Sequence, residues 1–194
     1  MRIFVPLTLA CICLAAAPVA AQETLQSLAH DQPKFDQAAA DYDAGNYEQA
    51  YNEFLALADD NDIAAMRNVA LMKRKGQGTD KDPEGARDYL ERAADGGLPT
   101  AQYDLGQMLL DGEGGDADPK AAVSWLAMAA AAHHPMAAYR LGELFEEGKV
   151  VPQDLAKAEE LYAEAAGRGV TDAAARLSAL QAAKANAPQP APSP

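Results

Sequence analysis

Small and apolar residues recur along this chain at a fixed distance of 36 residues. Three blocks of this length, beginning at Ala64, Thr100 and Met136, align with one another without any insertion. The columns that return in register are Ala65/Ala101/Ala137/Ala173, Val69/Leu105/Leu141/Leu177, Gly76/Gly112/Gly148, Asp82/Asp118/Asp154 and Ala86/Ala122/Ala158. Several columns repeating at one period indicate a repeat protein, in which each unit buries its apolar face against the next unit.

The pattern within each block predicts two helices joined by a loop. In the second block the small and apolar residues of the first helix follow helical spacing at Ala101, Leu105, Met108 and Leu109. Gly112 is expected to end this helix, because glycine takes the left-handed conformation without a Cβ clash. Asp118 and Pro119 are expected to begin the second helix as N-cap and first residue. The predicted buried face of that helix consists of Ala122, Trp125, Leu126, Ala129 and Ala130.

One further column consists of small residues alone. Ala70, Gly106, Gly142 and Ser178 occupy the same position of the period. A position that excludes bulk in each repeat predicts the close approach of another helix backbone.

These columns resemble those of the Sel-one-like repeat (SLR) family, a 36-residue relative of the tetratricopeptide repeat. The family pattern begins Ala-x-x-x-Leu-Gly, as in residues 101–106, and continues with a glycine, here Gly112. An Asp-x-x-Lys-Ala motif follows, which the third block matches from Asp154 to Ala158. The first block is more degenerate, with Val69-Ala70 in place of Leu-Gly. The resemblance covers residues 64–171.

The segments around these blocks complete the predicted organisation. Residues 34–62 resemble a tetratricopeptide helix pair, since Phe35–Ala58 contains Ala-Gly-Asn-Tyr-x-x-Ala-x-x-x-Phe. Residues 22–33 are interpreted as a polar linker. Residues 172–183 are interpreted as a capping helix that Thr171 and Asp172 begin, and residues 184–194 as a disordered Ala/Pro-rich tail. The resemblance implies an all-α fold, a right-handed α-solenoid of antiparallel helix pairs with about nine helices.

The first 21 residues are predicted to be a secretory signal peptide. Arg2 precedes an apolar run, and Val19 and Ala21 occupy the small-residue positions of a cleavage site. The run is shorter than the ~20 apolar residues of a membrane span. Both cysteines of the chain lie in this segment, so the exported protein would have no disulfide. We expect a periplasmic or secreted protein without membrane insertion after signal removal; lipid attachment at Cys11 or a retained anchor is the alternative.

The charge is acidic and unevenly distributed. The chain has a formal net charge of −13, and residues 22–63 carry ten acidic residues against Lys34 alone. Nucleic acids and anionic membranes attract clusters of Lys and Arg instead. The composition therefore argues against nucleic acid as the partner.

The acidic, glycine-rich loop at residues 111–118 invites a metal-binding or phosphate-binding interpretation. An EF-hand loop would need an acidic or amide side chain at its fifth position and a glutamate at its twelfth, where this chain has Gly115 and Ala122. No Lys-Ser/Thr pair follows the glycines as it would in a P-loop. We interpret the loop as a hinge between helices. His133 and His134 are expected to fill a turn, without metal or cofactor.

The resemblance implies a concave binding groove built by the first helix of each pair. If the groove positions of tetratricopeptide proteins carry over, the lining is Arg67, Leu71, Arg74, Lys75, Tyr103, Gln107, Leu110, Asp111, Tyr139, Glu143, Glu146 and Glu147. Such a groove runs from basic through aromatic to acidic and suits an extended peptide or a helix of opposite polarity. In the alternative interpretation, Arg67 and Lys73–Lys75 neutralise the acidic helices at residues 36–62, and the tyrosines are half-buried packing residues.

These features predict a non-enzymatic scaffold of the cell envelope that binds a protein or peptide as adaptor or regulator. A secreted effector that binds a host or competitor protein is the alternative. The chain has no nucleophile motif, and a β-lactam hydrolase of the kind described for disulfide-rich relatives is less favoured because fold analogy is its whole support. The sequence leaves open the oligomeric state and whether the groove or the convex face binds.

Overall fold

The computed structural model describes residues 32–186, and every regular element in this range is an α-helix. Helix α1 occupies residues 32–43. The next eight helices are α2 (Tyr47–Asp59), α3 (Ile63–Lys75), α4 (Pro83–Asp95), α5 (Pro99–Asp111), α6 (Pro119–Ala131), α7 (Pro135–Glu147), α8 (Leu155–Gly167) and α9 (Thr171–Ala185). The predicted signal peptide, most of the predicted linker and the end of the predicted tail lie outside the described residues.

The ends of the helices are determined by local side-chain and backbone chemistry. Gly76, Gly112 and Gly148 end α3, α5 and α7 in the left-handed conformation, with φ of 70°, 68° and 68°. In each repeat an aspartate begins the second helix by accepting a hydrogen bond from the backbone N–H three residues later, at 2.9–3.0 Å: Asp82, Asp118 and Asp154. Each cap satisfies a backbone donor that the helix cannot satisfy itself. The predicted caps of the three repeats are therefore confirmed.

Helices pack against their neighbours in the sequence. The closest pairs are α3 with α4, α5 with α6, and α7 with α8, and each pair packs on the next one through α4–α5, α6–α7 and α8–α9. The predicted all-α solenoid is confirmed. Its interior is rich in alanine, and Ala65, Ala101 and Ala137 are fully buried at the same position of the three repeats. Small residues at these positions let successive helices approach closely.

The column of small residues marks where the two helices of a repeat cross. A Cβ added to Gly106 would lie 2.8 Å from Leu126 Cγ, and one added to Gly142 would lie 2.8 Å from Tyr162 Cε1. The nearest neighbour is thus a large side chain of the second helix, not its backbone as predicted. Ser178, the last member of the column, is exposed, because α9 has no following helix in the described part of the chain.

Three details of the predicted elements are wrong. Val170, and not Thr171 or Asp172, occupies the N-cap position of α9, and no side-chain hydrogen bond caps this helix. Helix α9 continues to Ala185, two residues beyond the predicted end. Trp125 is half-buried and not part of the core, because Leu126, the next residue, points inward and is fully buried.

Replacing Gly106 with leucine tests the helix crossing. We expect Gly106→Leu to lower the free energy of unfolding by about 1–3 kcal/mol or more, because the new side chain must displace Leu126. Gly167→Leu is the matched control, since a Cβ at Gly167 meets nothing within 4 Å and leucine favours a helix over glycine. Chemical denaturation of both variants measures the difference. Equal stability of the two would contradict the crossing.

Candidate binding groove

The first helices of the units surround a pocket near the start of the repeat array. Helices α1, α3 and the beginning of α5 enclose about 420 Å³, a space that we call the α1–α3–α5 pocket. Its lining residues are Phe35, Ala39, Tyr42, Asp43, Phe54, Ala64, Arg67, Asn68, Leu71, Met72, Leu98 and Thr100. The walls are mostly apolar, with a few polar side chains, which is the usual character of a binding site.

Aromatic contacts hold the α1 side of this pocket in place. The rings of Phe35 and Phe54 meet edge to face, with centroids 5.3 Å apart, and Tyr42 meets Tyr47 in the same way at 5.2 Å. The Tyr42 hydroxyl donates a hydrogen bond of 2.9 Å to Gln77 Oε1, in the loop after α3. The two ring contacts therefore join α1 to α2, and the Tyr42–Gln77 hydrogen bond joins α1 to the first repeat, so the pocket has a defined wall.

The basic side chains predicted for the groove form ion pairs with the following repeat. Arg67 Nε on α3 lies 2.6 Å from Asp104 Oδ2 on α5, and Arg74 Nε lies 2.7 Å from Glu113 Oε2 in the loop after α5. Asp104 is almost completely buried, so its charge is compensated mainly by Arg67 in a site with little water. These arginines neutralise acids in the second repeat, so the alternative interpretation, in which they neutralise the acidic helices at residues 36–62, is wrong for Arg67 and Arg74.

An aromatic contact joins α5 to the residue that begins α7. The rings of Tyr103 on α5 and His134 are stacked, with centroids 4.9 Å apart. His134 also occupies the N-cap position of α7, where its Nδ1 accepts a hydrogen bond of 3.2 Å from the Ala137 N–H. Burial, only partly offset by the negative charge of Asp104, lowers the pKa of His134. His134 thus has a structural role beyond filling a turn.

The acidic end of the predicted groove is also occupied by internal contacts. Glu143 pairs with Arg140 at 2.9 Å on α7. Glu146 accepts a hydrogen bond of 2.6 Å from the Tyr162 hydroxyl and lies 3.5 Å from Arg176 Nη1 on α9. Burial and the bond to Glu146 raise the pKa of Tyr162, so this phenol remains a donor. Glu146 therefore links α7 to α8 and α9, while Glu143 is paired within α7.

Two buried polar atoms of the groove helices have no hydrogen-bond partner among the described residues. They are Gln107 Oε1 on α5 and Arg140 Nε on α7. A buried donor or acceptor without a partner is unfavourable. Gln107 was predicted to line the groove, and its side chain retains a hydrogen-bonding capacity that the fold does not use.

Some of the predicted groove residues are engaged in contacts within the protein, and others line the pocket or are half-buried or exposed; Arg67 does both. Arg67, Arg74, Glu143 and Glu146 are engaged in ion pairs, and Tyr103 is stacked on His134. Arg67 and Leu71 line the α1–α3–α5 pocket, while Gln107, Leu110 and Tyr139 are half-buried and Lys75 is exposed. Because most of the charges are paired, the predicted gradient from basic to acidic is largely compensated within the protein.

The glycine-rich loop is attached to the preceding repeat. Besides the Arg74–Glu113 pair, Arg87 Nη1 donates a hydrogen bond of 3.1 Å to the Asp116 carbonyl. A Cβ on Gly114 would lie 2.3 Å from the Pro83 carbonyl oxygen, so glycine is needed for this close approach. The loop connects α5 to α6 as expected, and it also fastens the second repeat to the first.

Two searches of the described residues bear on other kinds of site. Residues 32–186 contain no group of three or more His, Cys, Asp or Glu side chains that could hold a metal ion. No helix in the same range has the length and apolarity needed to cross a membrane.

Sequence reasoning missed three contributors to the site. Asp104, the partner of Arg67, and His134, the partner of Tyr103, were not predicted to act in the groove. Helix α1 was predicted as a helix but not as a wall of a pocket. Asp104 directly follows Tyr103, and Arg67 aligns with Tyr103 in the preceding repeat. Comparing the charges at these neighbouring positions of successive repeats could have suggested that Asp104 pairs with an arginine.

The His134 contact makes the stability of the array dependent on pH. The pKa of His134 is lowered in the folded state, so the unfolded chain binds more protons below its ordinary pKa of about 6.5. The stabilisation is full above pH 6.5 and is lost as the pH falls towards the lowered value, since protonated Nδ1 cannot accept from Ala137. Denaturation at pH 7.5 and pH 5 should show this loss.

His134→Asn provides the comparison, because asparagine caps a helix without titrating in this range. We expect the loss between the two pH values to be smaller in the variant than in the wild-type protein. Parallel pH profiles for the two proteins would show that His134 does not couple to protonation.

Comparisons with known proteins agree with this architecture. The family model described as the Sel1 repeat matches residues 63–98, 99–134 and 135–170, and each match begins at the first residue of α3, α5 or α7. The blocks predicted from the sequence each begin one residue later than the matched repeats. A search of curated proteins finds no match to this chain.

Two solved structures have the same fold. A Sel1 repeat protein from Oxalobacter formigenes is 33% identical, with a TM-score of 0.70, and the match covers 74% of this chain and 58% of that one. A protective antigen present in uropathogenic Escherichia coli strains, which displays an SLR fold, is 24% identical with a TM-score of 0.76; 87% of this chain and 37% of that one are covered. Sel1 repeats generally mediate protein–protein interaction. With three matched repeats that coincide with three helix pairs, this chain belongs to the Sel1 repeat family.

Proposed function

We propose that this protein is a non-enzymatic scaffold of the cell envelope that binds a peptide or protein segment along its groove, as an adaptor or regulator. The observation that carries the proposal is the α1–α3–α5 pocket of about 420 Å³. It lies between the first helices of successive units, where the groove was expected, and two predicted groove residues, Arg67 and Leu71, line it.

The chemistry of the pocket suits an apolar anchor side chain on a partner. Phe35, Leu71 and Leu98 supply apolar walls, and Asn68 and Thr100 supply polar groups at the lining. Protein interfaces concentrate their binding energy in a few apolar or aromatic anchors that fill such pockets, while surrounding polar groups orient the main chain. We therefore expect a partner that inserts a large apolar side chain here.

The paired charges indicate how the rest of the groove contributes. Arg67 and Arg74 are held in place by ion pairs with Asp104 and Glu113. Their positive charges are therefore compensated, and their main contribution to a partner would be hydrogen-bond donors in fixed positions. The affinity for the partner should accordingly come mainly from apolar contacts and should change little with ionic strength.

A pocket-filling substitution tests the groove. Ala39 on α1 is half-buried and lines the pocket, and Ala39→Trp should fill the pocket. Ala163→Trp is the control, because Ala163 is an exposed alanine on α8. With purified proteins immobilised as baits in an envelope extract, a partner identified by mass spectrometry should be retained by the wild-type protein and by Ala163→Trp and lost from Ala39→Trp.

The outcome depends on both variants being folded, which circular dichroism establishes. A partner that binds Ala39→Trp as well as it binds the wild-type protein would place recognition away from the pocket. Loss of the partner from both tryptophan variants would assign the effect to the added aromatic surface and not to the groove.

The cellular location is a separate part of the proposal. Its support is the apolar segment that ends in Val19-Ala20-Ala21, a pattern typical of exported proteins. We expect the protein in the periplasmic fraction, shortened by about 21 residues in a mass measurement. Accumulation in the culture medium would favour the secreted-effector alternative, and an unshortened protein in the cytoplasm would contradict export altogether.

A further inference from the structure

The side of α1 that faces the α1–α3–α5 pocket carries two exposed carboxylates. Asp43 lines the pocket, and Asp36 lies seven residues earlier on the same helix. Ala39, which also lines the pocket, follows Asp36 by three residues and precedes Asp43 by four. Residues at intervals of three and four lie on one side of an α-helix. Each carboxylate is therefore about one helical turn from Ala39, at the edge of the pocket.

Neither of these carboxylates is neutralised by a neighbouring side chain. Among residues 32–186, no lysine or arginine forms an ion pair with Asp36 or Asp43. Asp36 accepts a hydrogen bond of 2.9 Å from Gln32 Nε2, but an amide is neutral and leaves the charge of the carboxylate in place. Both acids are exposed, so their charges are available to a partner.

The positive charges near the pocket do not balance these acids. Arg67 lines the pocket, but its Nε lies 2.6 Å from Asp104 Oδ2, so its charge is compensated by a buried acid. Lys75 is exposed one turn after Leu71 on α3 and does not line the pocket. The surroundings of the pocket are therefore negative on balance, although this end of the groove was expected to be basic.

The position of Asp43 is not explained by the stability of α1. Helix α1 ends at residue 43, and the carboxyl end of a helix carries the negative pole of the helix dipole. A carboxylate in the last turn is therefore unfavourable for the helix. Residues that oppose local stability without an evident compensation occur at functional sites. Asp43 combines this position with direct access to a pocket.

We propose that the α1–α3–α5 pocket selects a peptide or protein segment in which a large apolar residue is flanked by lysine or arginine. This selection rests on the proposed function, because the pocket must be the binding site. The apolar side chain fills the pocket and supplies most of the affinity. The flanking basic residues meet Asp36 and Asp43, and such charge complementarity fixes the orientation of a segment and disfavours wrong partners.

The separation of the two carboxylates indicates the spacing of the basic residues. Seven residues of α-helix correspond to about 10 Å along the axis of α1, and about three residues of extended chain cover the same length. A segment that lies along α1 therefore carries basic residues about three positions apart, with the apolar residue between them. Acidic residues at the same two positions would face Asp36 and Asp43 and be repelled.

A series of synthetic peptides tests this selection with purified protein. The first peptide is Gly-Ser-Lys-Phe-Ser-Lys-Ser-Gly, the second has glutamate in place of both lysines, and the third has serine in place of phenylalanine. Isothermal titration calorimetry measures their affinities. The lysine peptide should bind roughly five- to tenfold more tightly than the glutamate peptide, because two attractive contacts become repulsive. The serine peptide should bind more weakly than the lysine peptide, because it has no side chain for the pocket.

A pair of substitutions assigns the preference to the two carboxylates. In Asp36→Asn/Asp43→Asn the lysine and glutamate peptides should bind with nearly equal affinity. Asp88→Asn/Asp95→Asn is the matched control, because it removes two exposed acids at the same spacing from α4, which contributes no residue to the pocket. The control should keep the preference for lysine. Circular dichroism establishes that both variants are folded, and Asp43→Asn removes an acid that is unfavourable for α1.

The outcomes separate this proposal from the groove proposal on which it rests. If the lysine and glutamate peptides bind the wild-type protein equally, and both need phenylalanine, the preference for basic segments is overturned while the pocket remains the binding site. An equal loss of preference in the two double variants also overturns it, since the net charge of the protein would then be the cause. If the serine peptide binds as tightly as the lysine peptide, the pocket does not bind the anchor and both proposals fail.

Discussion

The close crossing of the two helices within each repeat is the constraint on which the rest of the structure depends. In the second and third repeats a glycine on the first helix leaves the space into which one large residue of the second helix fits, Leu126 against Gly106 and Tyr162 against Gly142. Interiors are close-packed, so this distance cannot vary without a void or a clash. Helices α2 to α8 have 13 residues each, and identical pairs therefore stack at a constant offset.

Apolar packing of this kind is nearly the same in every repeat, whereas the polar contacts between neighbouring helix pairs differ from one pair to the next. The first and second repeats share the Arg67–Asp104 ion pair, Tyr103 on α5 stacks on His134 at the start of α7, and α9 is joined to α7 by Arg176 and Glu146. Removal of one member would leave a buried polar group or charge without compensation. Such contacts specify which helix packs against which neighbour. The repeated alanines alone would not specify this, because they are the same in every repeat.

The positions that join repeats also lie on the surface where binding was expected, so the groove serves two purposes. Side chains engaged with a neighbouring repeat are held in place, and a held side chain loses little conformational entropy when a partner binds. The α1–α3–α5 pocket arises at the one joint where a tetratricopeptide-like pair meets the first repeat.

The helices, their order and most of their ends could be predicted from the amino-acid sequence alone. The 36-residue period, the aspartate caps and the left-handed glycines act within a few residues, so the local chain contains the whole interaction. Four features could not be predicted in this way: the partner of Arg67, the stacking of His134 on Tyr103, the half-exposure of Trp125 and the wall that α1 contributes to the pocket. Each of these depends on which side chains meet from different helices. A column of the repeat shows which kind of residue occupies a position. The distances between side chains of different columns depend on how the helices pack, and a repeat pattern does not contain that information.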